Sequence, residues 1–333
     1  MSETKKGLSR RGFLKGSGAA LAGVAATAIP GAAEAAPKCG NLPKKWDTTV
    51  DVLVVGSGFA GLTAAVEARA VGADVLVLEK MPVHGGNSII NGGDFAAAGN
   101  SFQKDAGLQD SSEQMLKDMM KAGGNLNNPE LARIVAERSN EALEWTKSAV
   151  GAKYMRLNFH GGHSLKRSVQ TVTASGGELV NKLLLKAKEL GAKVELKTKL
   201  VRFVAADDGR IVGVEVRRGY RFPDESSGTP AFIRARRGVV LASGGFSQDV
   251  ALRQVHDPRL TEKFESTNHP GATGEALLAA CKAGAMDVQM DWIQLGPWTS
   301  PDEKGFGQVP QFCERLVGYG AMVDPKTGKR FFK

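Results

Sequence analysis

The sequence predicts an α/β protein built on a Rossmann-like, doubly wound sheet that binds a dinucleotide. Three observations carry that expectation. Val52–Val55 is a short Val-rich run of the kind that forms a strand buried on both faces. Gly56, Gly58 and Gly61 follow it directly and make a G-x-G-x-x-G turn. A second apolar run, Val75–Leu78, ends in Glu79, about 20 residues beyond the turn, where a ribose acceptor belongs. A Gly-rich turn alone would be weak evidence; placed between a strand and a helix, with a second strand ending in Glu, it is specific.

Each element has a local reason. Gly56 allows the sharp turn, Gly58 lets a pyrophosphate approach the backbone, and Gly61 lets the following helix lie close to the strand. Ala60 belongs to the same turn and is a further candidate for cofactor contact. The Ala-rich Leu62–Ala70 is the helix, its N–H groups and dipole aimed at the phosphates, and Gly72 stops it. After Lys80, the glycine pairs 85–86 and 92–93 permit close backbone approach to a ligand, while Asn87 and Ser88 add polar contacts.

The first 35 residues are an address. Ser9-Arg10-Arg11-Gly12-Phe13-Leu14-Lys15 matches the bacterial twin-arginine signal, and a weakly apolar Ala/Gly run leads to the A-x-A site Ala33-Glu34-Ala35. That run, interrupted by Pro30, is too short and small-residue-rich for a stable membrane span. Export of a folded protein to the periplasm favours a tightly held FAD over a diffusible nicotinamide, although the Gly signature serves both. The leader's five basic and two acidic residues contribute to the net charge of +9; without them it is +6. The basic residues are scattered and lack interleaved aromatics, which argues against nucleic acid. Cys39, Cys281 and Cys313 have neither metal nor haem-attachment spacing, so no metal is expected.

Further along, Ser111–Ala122 and Pro129–Ser148 read as helices joined by a Gly/Asn turn, with Asn127 or Asn128 as cap and Pro129 at the start. Within His160-Gly-Gly-His163 the glycines argue against a helical metal pair; His160 reads either as pocket lining or as surface loop. Ser175–Leu190 is an amphipathic helix ended by Gly191. Val194–Phe203 and Ile211–Arg217 are strands around the turn Asp207-Asp208-Gly209. Gly238–Phe246 is a buried strand running into Gly244-Gly245, and Glu275 stands at the start of the helix Ala276–Ala283.

Taken together, G-x-G-x-x-G, Glu79-Lys80, Gly85-Gly86-Asn87-Ser88 and Gly92-Gly93 resemble the flavoprotein subunit of the fumarate reductase and succinate dehydrogenase family. The similarity is greatest to the soluble periplasmic flavocytochrome c type. It continues through Lys121–Pro129, Gly238–Phe246, Ser266–Glu275 and Gly318–Phe331. The resemblance implies FAD as cofactor, with Lys80 beside Glu79, backbone contacts to the adenine near Leu200, and Gly244, Gly245 and Glu275 near the nucleotide. It places His160, Gly161 and Gly93 beside the substrate. It also divides the chain into the leader 1–35, an FAD-binding domain 36–290 lacking its return segment, and the start of an inserted, incomplete α+β cap domain, 291–333.

In that family a C=C bond is saturated by hydride from the flavin, cationic donors stabilise the developing charge, and an arginine fed by a Glu/Arg relay donates the proton. Glu314, four residues before Gly318-Tyr-Gly320, matches the relay glutamate, but Val317 stands where the relay arginine belongs. Gly296 stands where a fumarate-binding histidine is expected, and Trp298 lies nearby. The donor arginine would fall beyond Lys333, so the sequence as it stands is expected to lack turnover. These departures favour unsaturated carboxylates other than fumarate, such as urocanate or cinnamate-like acids. Lacking a haem motif, the chain would draw electrons from a separate c-type cytochrome in anaerobic respiration. The competing expectations are an FAD-dependent dehydrogenase of ketosteroid-like substrates and a non-catalytic flavin-binding fragment.

Overall fold

A computed structural model describes residues 42–296, 321 and 323–330. The twin-arginine leader, Cys39, Cys313, Trp298 and Glu314 lie outside the described residues.

The first strand, β1 (Thr48–Val55), runs through the G-x-G turn into helix α1 (Phe59–Ala70) and returns as β2 (Val75–Leu78). β1 and β2 are parallel, with Val52 to Val55 opposite Val75 to Leu78. Alternate side chains leave this pair toward opposite faces, as strand geometry requires. Leu53, Val55, Leu76 and Leu78 enter one core, and Val54, Val75 and Val77 enter another. Both faces of the sheet are therefore covered, which explains why the runs are continuously apolar rather than alternating.

Then come α2 (Gly86–Ile90), β3 (Asp94–Ala96), α3 (Ser101–Asp105), α4 (Ser112–Ala122) and α5 (Pro129–Ser148). Asn128 caps α5 by accepting from the Glu130 and Leu131 amides, with Pro129 in the first turn. β4 (Tyr154–Asn158) and β5 (Ser168–Thr171) form with β3 a small antiparallel sheet in the order β3-β5-β4. A buried ionic centre ties that sheet to α4: the Arg167 guanidinium donates to both oxygens of Asp110, at 2.9 and 3.0 Å, and to Asp118 at 2.6 Å. Burial pushes the Asp118 carboxyl up, but the Ser164 amide and hydroxyl and the Arg167 guanidinium outweigh it and hold the group at about 2.

Helix α6 (Gly176–Glu189) packs beside α1 through Leu179, Val180, Leu183 and Ala187. The large sheet is completed by β6 (Lys193–Glu195), β7 (Thr198–Ala205), β8 (Ile211–Arg218) and β9 (Thr229–Leu241), in the order β6-β2-β1-β9-β8-β7. Its β6-β2-β1-β9 half is parallel, while β7 and β8 are antiparallel additions. The single strand expected over Val194–Phe203 is thus two. The chain breaks at Lys197, which has φ +53, leaves the parallel half after β6 and rejoins the sheet at its far edge as β7. The Asp207-Asp208-Gly209 hairpin joins β7 to β8 as the sequence indicates. Two short helices follow, α7 (Val250–His256) and α8 (Glu275–Lys282), and Ala276, Ala279 and Ala280 of α8 close the second face of the sheet. Among the described residues no helix is long and apolar enough to cross a membrane.

Candidate functional site

The C-terminal ends of β1, β2 and β9 open into a cavity of about 270 Å³, the position that open α/β sheets give to ligands. Its floor is the glycine turn. Gly56 has φ +106, and a β-carbon there would come within 2.3 Å of the Ala242 carbonyl oxygen at the end of β9. No L side chain fits that position. Gly58 and Ala60 line the cavity. Gly61 does not; a β-carbon on it would lie 1.9 Å from the Gly56 oxygen and 3.2 Å from Val54, so this glycine sets the approach of helix to strand.

One wall is β2 and its continuation. Glu79 is largely buried, and Oε2 accepts from the Ser57 hydroxyl at 2.5 Å and from the Ser57 amide at 3.2 Å, while Oε1 accepts from the Met81 amide at 2.9 Å. The backbone at Glu79 is clamped by the passage from β6 to β7: its amide donates to the Glu195 carbonyl and its carbonyl accepts from the Thr198 amide, each at 2.9 Å. Lys80 donates to Thr273 Oγ1 and to Glu275 Oε1, both at 2.5 Å, which fastens this wall to the start of α8. A third hydrogen bond, from the Thr273 hydroxyl to Glu275, closes the triangle.

The opposite wall comes from α2. Ser88 Oγ accepts from the Phe59 amide at 3.0 Å, in the first turn of α1, and Asn87 Oδ1 accepts from the His269 amide at 2.6 Å. Both residues line the cavity, as do Leu200, Gly244 and Gly245. Ser57, Thr198, Lys199 and Thr273 line it too, although the sequence did not single them out. A signal existed for Thr273, inside Gly271-Ala-Thr-Gly-Glu275, whereas Lys199 follows Lys197 and Thr198 in a polar stretch that does not set it apart.

The candidate substrate residues lie elsewhere. Gly92, Gly93, His160 and Gly161 are not among the residues lining the cavity. Gly93 packs against the start of α6, where a β-carbon would meet Thr171 Oγ1 at 2.3 Å. His160 Nε2 is 3.2 Å from Asp94 Oδ1, immediately after Gly93 in the chain. Gln170 bridges the same Asp94 to the Gly92 carbonyl, at 3.1 and 3.0 Å. His160 is thereby connected to the Gly92-Gly93 turn through side chains of the small sheet. Burial acts to raise the Asp94 carboxyl, yet His160 and Asn158 hold it below its ordinary value. His163 is held low by burial and then by the Arg167 and His160 charges.

The cradle suits a dinucleotide on its own geometry. A β-carbon at Gly58 would stand 3.0 Å from Ser88 Oγ, a tight contact that glycine avoids where the backbone lines the cavity. No acidic side chain occupies the first turn of α1 to repel a pyrophosphate. The fold and site define a dinucleotide-binding protein of the Rossmann-like class. Residues 51–333 match the FAD binding domain family. The chain is 44% identical to the acrylate reductase flavoprotein subunit of Shewanella woodyi over 97% of its own length and 63% of that protein's. It is 35% identical to the urocanate reductase of Eggerthella lenta, over 77% of this chain and 41% of that one. Its fold superposes on the open conformation of a flavocytochrome c3 fumarate reductase with a TM-score of 0.75 at 32% identity, covering 86% of this chain and 49% of the other. The chain belongs to the FAD binding domain family, and its cofactor is FAD. It spans between 41% and 63% of the length of these relatives.

Proposed function

We propose that the protein reduces the C=C bond of a small α,β-unsaturated carboxylate, with acrylate-like monocarboxylates preferred to fumarate. The observation that carries this reading is the FAD cradle together with the likeness to an acrylate reductase flavoprotein subunit along 97% of the chain. Gly296 supports the preference, because a glycine offers no cation for a second carboxylate. Bound FAD supplies the hydride for the reduction. The chain's residues hold the cofactor: the glycine turn and the first turn of α1 receive the pyrophosphate, and Glu79, oriented by Ser57 and Met81, accepts from a ribose hydroxyl. Lys80 and Glu275 fix the wall on that side. His160 and Asp94 border the substrate through the Gly92-Gly93 turn, and the Glu314 carboxylate passes a proton toward the substrate. Residues 291–333 begin the lid that excludes water.

The leader supports export by the twin-arginine machinery to the periplasm, where a c-type cytochrome would serve as electron donor in anaerobic respiration. Replacing both Arg10 and Arg11 by Lys should retain the protein in the cytoplasm; unchanged recovery from the periplasm would refute the export reading.

The activity is tested by oxidation of reduced viologen by the complete protein, offered acrylate, fumarate, urocanate, a cinnamate and a ketosteroid. Acrylate-dependent oxidation exceeding that with fumarate is expected. A response to fumarate alone would overturn the preference, and no response to any enoate would overturn the activity.

A further inference from the structure

Between β8 and β9 the chain makes a ten-residue excursion, 219–228, that is a built loop. Tyr220 is 1% exposed, and its amide donates to the Lys197 carbonyl at 2.7 Å. Asp224 Oδ1 accepts from the Ser226 amide at 3.0 Å and from its hydroxyl at 2.5 Å. The Ser227 hydroxyl accepts from the Arg221 amide at 2.8 Å and donates to the Asp224 carbonyl at 2.5 Å. Compact loops of this size, closed by their own side chains, are frequently functional.

The excursion is attached to two lysines of the cofactor cavity. Lys199 lines the cavity between Thr198 and Leu200, and its ammonium donates to both oxygens of Glu225 at 2.5 Å. The Tyr220 hydroxyl donates to Glu225 Oε1 at 2.8 Å, and the Lys199 ammonium stands 5.1 Å from the centre of the Tyr220 ring. Lys80, the other cavity lysine, stands 5.6 Å from the centre of the Phe222 ring, within cation–π range. Its own carboxylate partner is Glu275. Each lysine thus has one carboxylate and one aromatic ring, and the excursion contributes three of those four groups.

We propose that this excursion is a clasp for the ribose end of the FAD site, in which Glu225 positions Lys199. Lys199 is 11% exposed at its side chain, whereas Glu225 is 68% exposed. The carboxylate therefore lies on the solvent side and draws the ammonium outward, away from the cavity. Without it, a nearly buried ammonium has lost its partner beside a cavity that also contains the carboxylates of Glu79 and Glu275. An unpaired charge in that setting is costly. Turning toward Glu79 relieves it, and Lys199 then competes with the ribose hydroxyl for the same oxygens. Partial desolvation acts to raise the Glu225 carboxyl, although most of its side chain faces solvent, and the Lys199 ammonium and the Tyr220 hydroxyl outweigh it and keep the group below its ordinary value, so the clasp is charged at neutral pH. Glu225 is accordingly a positioning residue, acting on the cofactor through Lys199.

The test is the rate at which FAD leaves the holoprotein, read from the return of free-flavin fluorescence, together with melting temperatures of the FAD-loaded and FAD-free forms. Glu225→Gln should accelerate release about tenfold, the scale of one charge-assisted hydrogen bond. Lys199→Met removes the competing ammonium, so the double variant Glu225→Gln/Lys199→Met should release FAD no faster than Lys199→Met alone. The FAD-free melting temperature should hold while that of the loaded form falls. Release at the wild-type rate would overturn the clasp. So would multiplying effects in the double variant, or equal falls in both melting temperatures, which would mark the loop as a fold element only. Should Glu225→Gln fail to fold, Tyr220→Phe decides by the same readout, since it removes only the hydroxyl donor: faster release supports the clasp and an unchanged rate overturns it. The clasp rests on FAD occupying this cavity; a wild-type protein that does not retain FAD would refute that occupancy rather than the clasp.

Discussion

Ser57 and Glu79 are bound to each other twice: the serine's hydroxyl and amide both donate to Glu79 Oε2, at 2.5 and 3.2 Å. The same hydroxyl accepts from the Gly85 amide at 3.0 Å, so one buried serine ties the glycine turn, the end of β2 and the start of α2. The middle residue of the G-x-G turn therefore sets the orientation of the Glu79 carboxylate, the proposed ribose acceptor, before any cofactor arrives. Such preorganisation reduces the ordering cost of binding.

Glu79→Ala should raise the FAD dissociation constant at least tenfold, because it removes a charge-assisted hydrogen bond of about 1.5–3 kcal/mol. Ser57→Ala leaves the acceptor in place and keeps the Ser57 amide bond to Oε2, so it should cost less than Glu79→Ala, about three- to tenfold. Fluorescence titration of the FAD-free protein measures both. A serine variant weaker than the glutamate variant would reverse the assigned order.

The cradle was legible in the sequence because its parts are local. Strand, glycine turn, helix and Glu79 follow one another within residues 52–79, and each is specified by residue type. The small sheet was not legible, since β3 has three residues and β5 four, too few to show a period. The break between β6 and β7 was hidden because the residue with positive φ is Lys197, where no glycine marks the turn. Lys199 does not stand out beside Lys193 and Lys197, and its partner Glu225 is 26 residues away across a hairpin, so only the fold brings them together.

Asp118 gives the fold a defined acid limit. Its carboxyl is held at about 2 in the folded protein, against about 3.9 in an unfolded chain. A depressed carboxylate contributes stability above the unfolded value, and that contribution is lost as the pH falls from about 4 toward 2. Asp118→Asn should therefore melt below wild type at neutral pH, and the gap should narrow over that interval. Thermal melts across the range check this; a gap independent of pH would show that the charge of Asp118 is not what stabilises.

His160 provides the test of the substrate side. Because it contacts Asp94 and stands outside the FAD cavity, His160→Ala should leave FAD content intact while changing KM or the ranking of enoates. Steady-state kinetics with several enoates, alongside flavin-to-protein ratios, separate the two effects. Equal kinetics on every enoate would remove His160 from the substrate site, and loss of flavin would move it to the cofactor site.

Electron transfer from FAD to an enoate is measured most directly in a single turnover. The complete protein is reduced anaerobically and mixed with acrylate while the absorbance of oxidised flavin is followed. The absorbance should return at a rate that saturates with acrylate, with one propionate formed per flavin. Flavin that stays reduced in the presence of acrylate and every other enoate would contradict it.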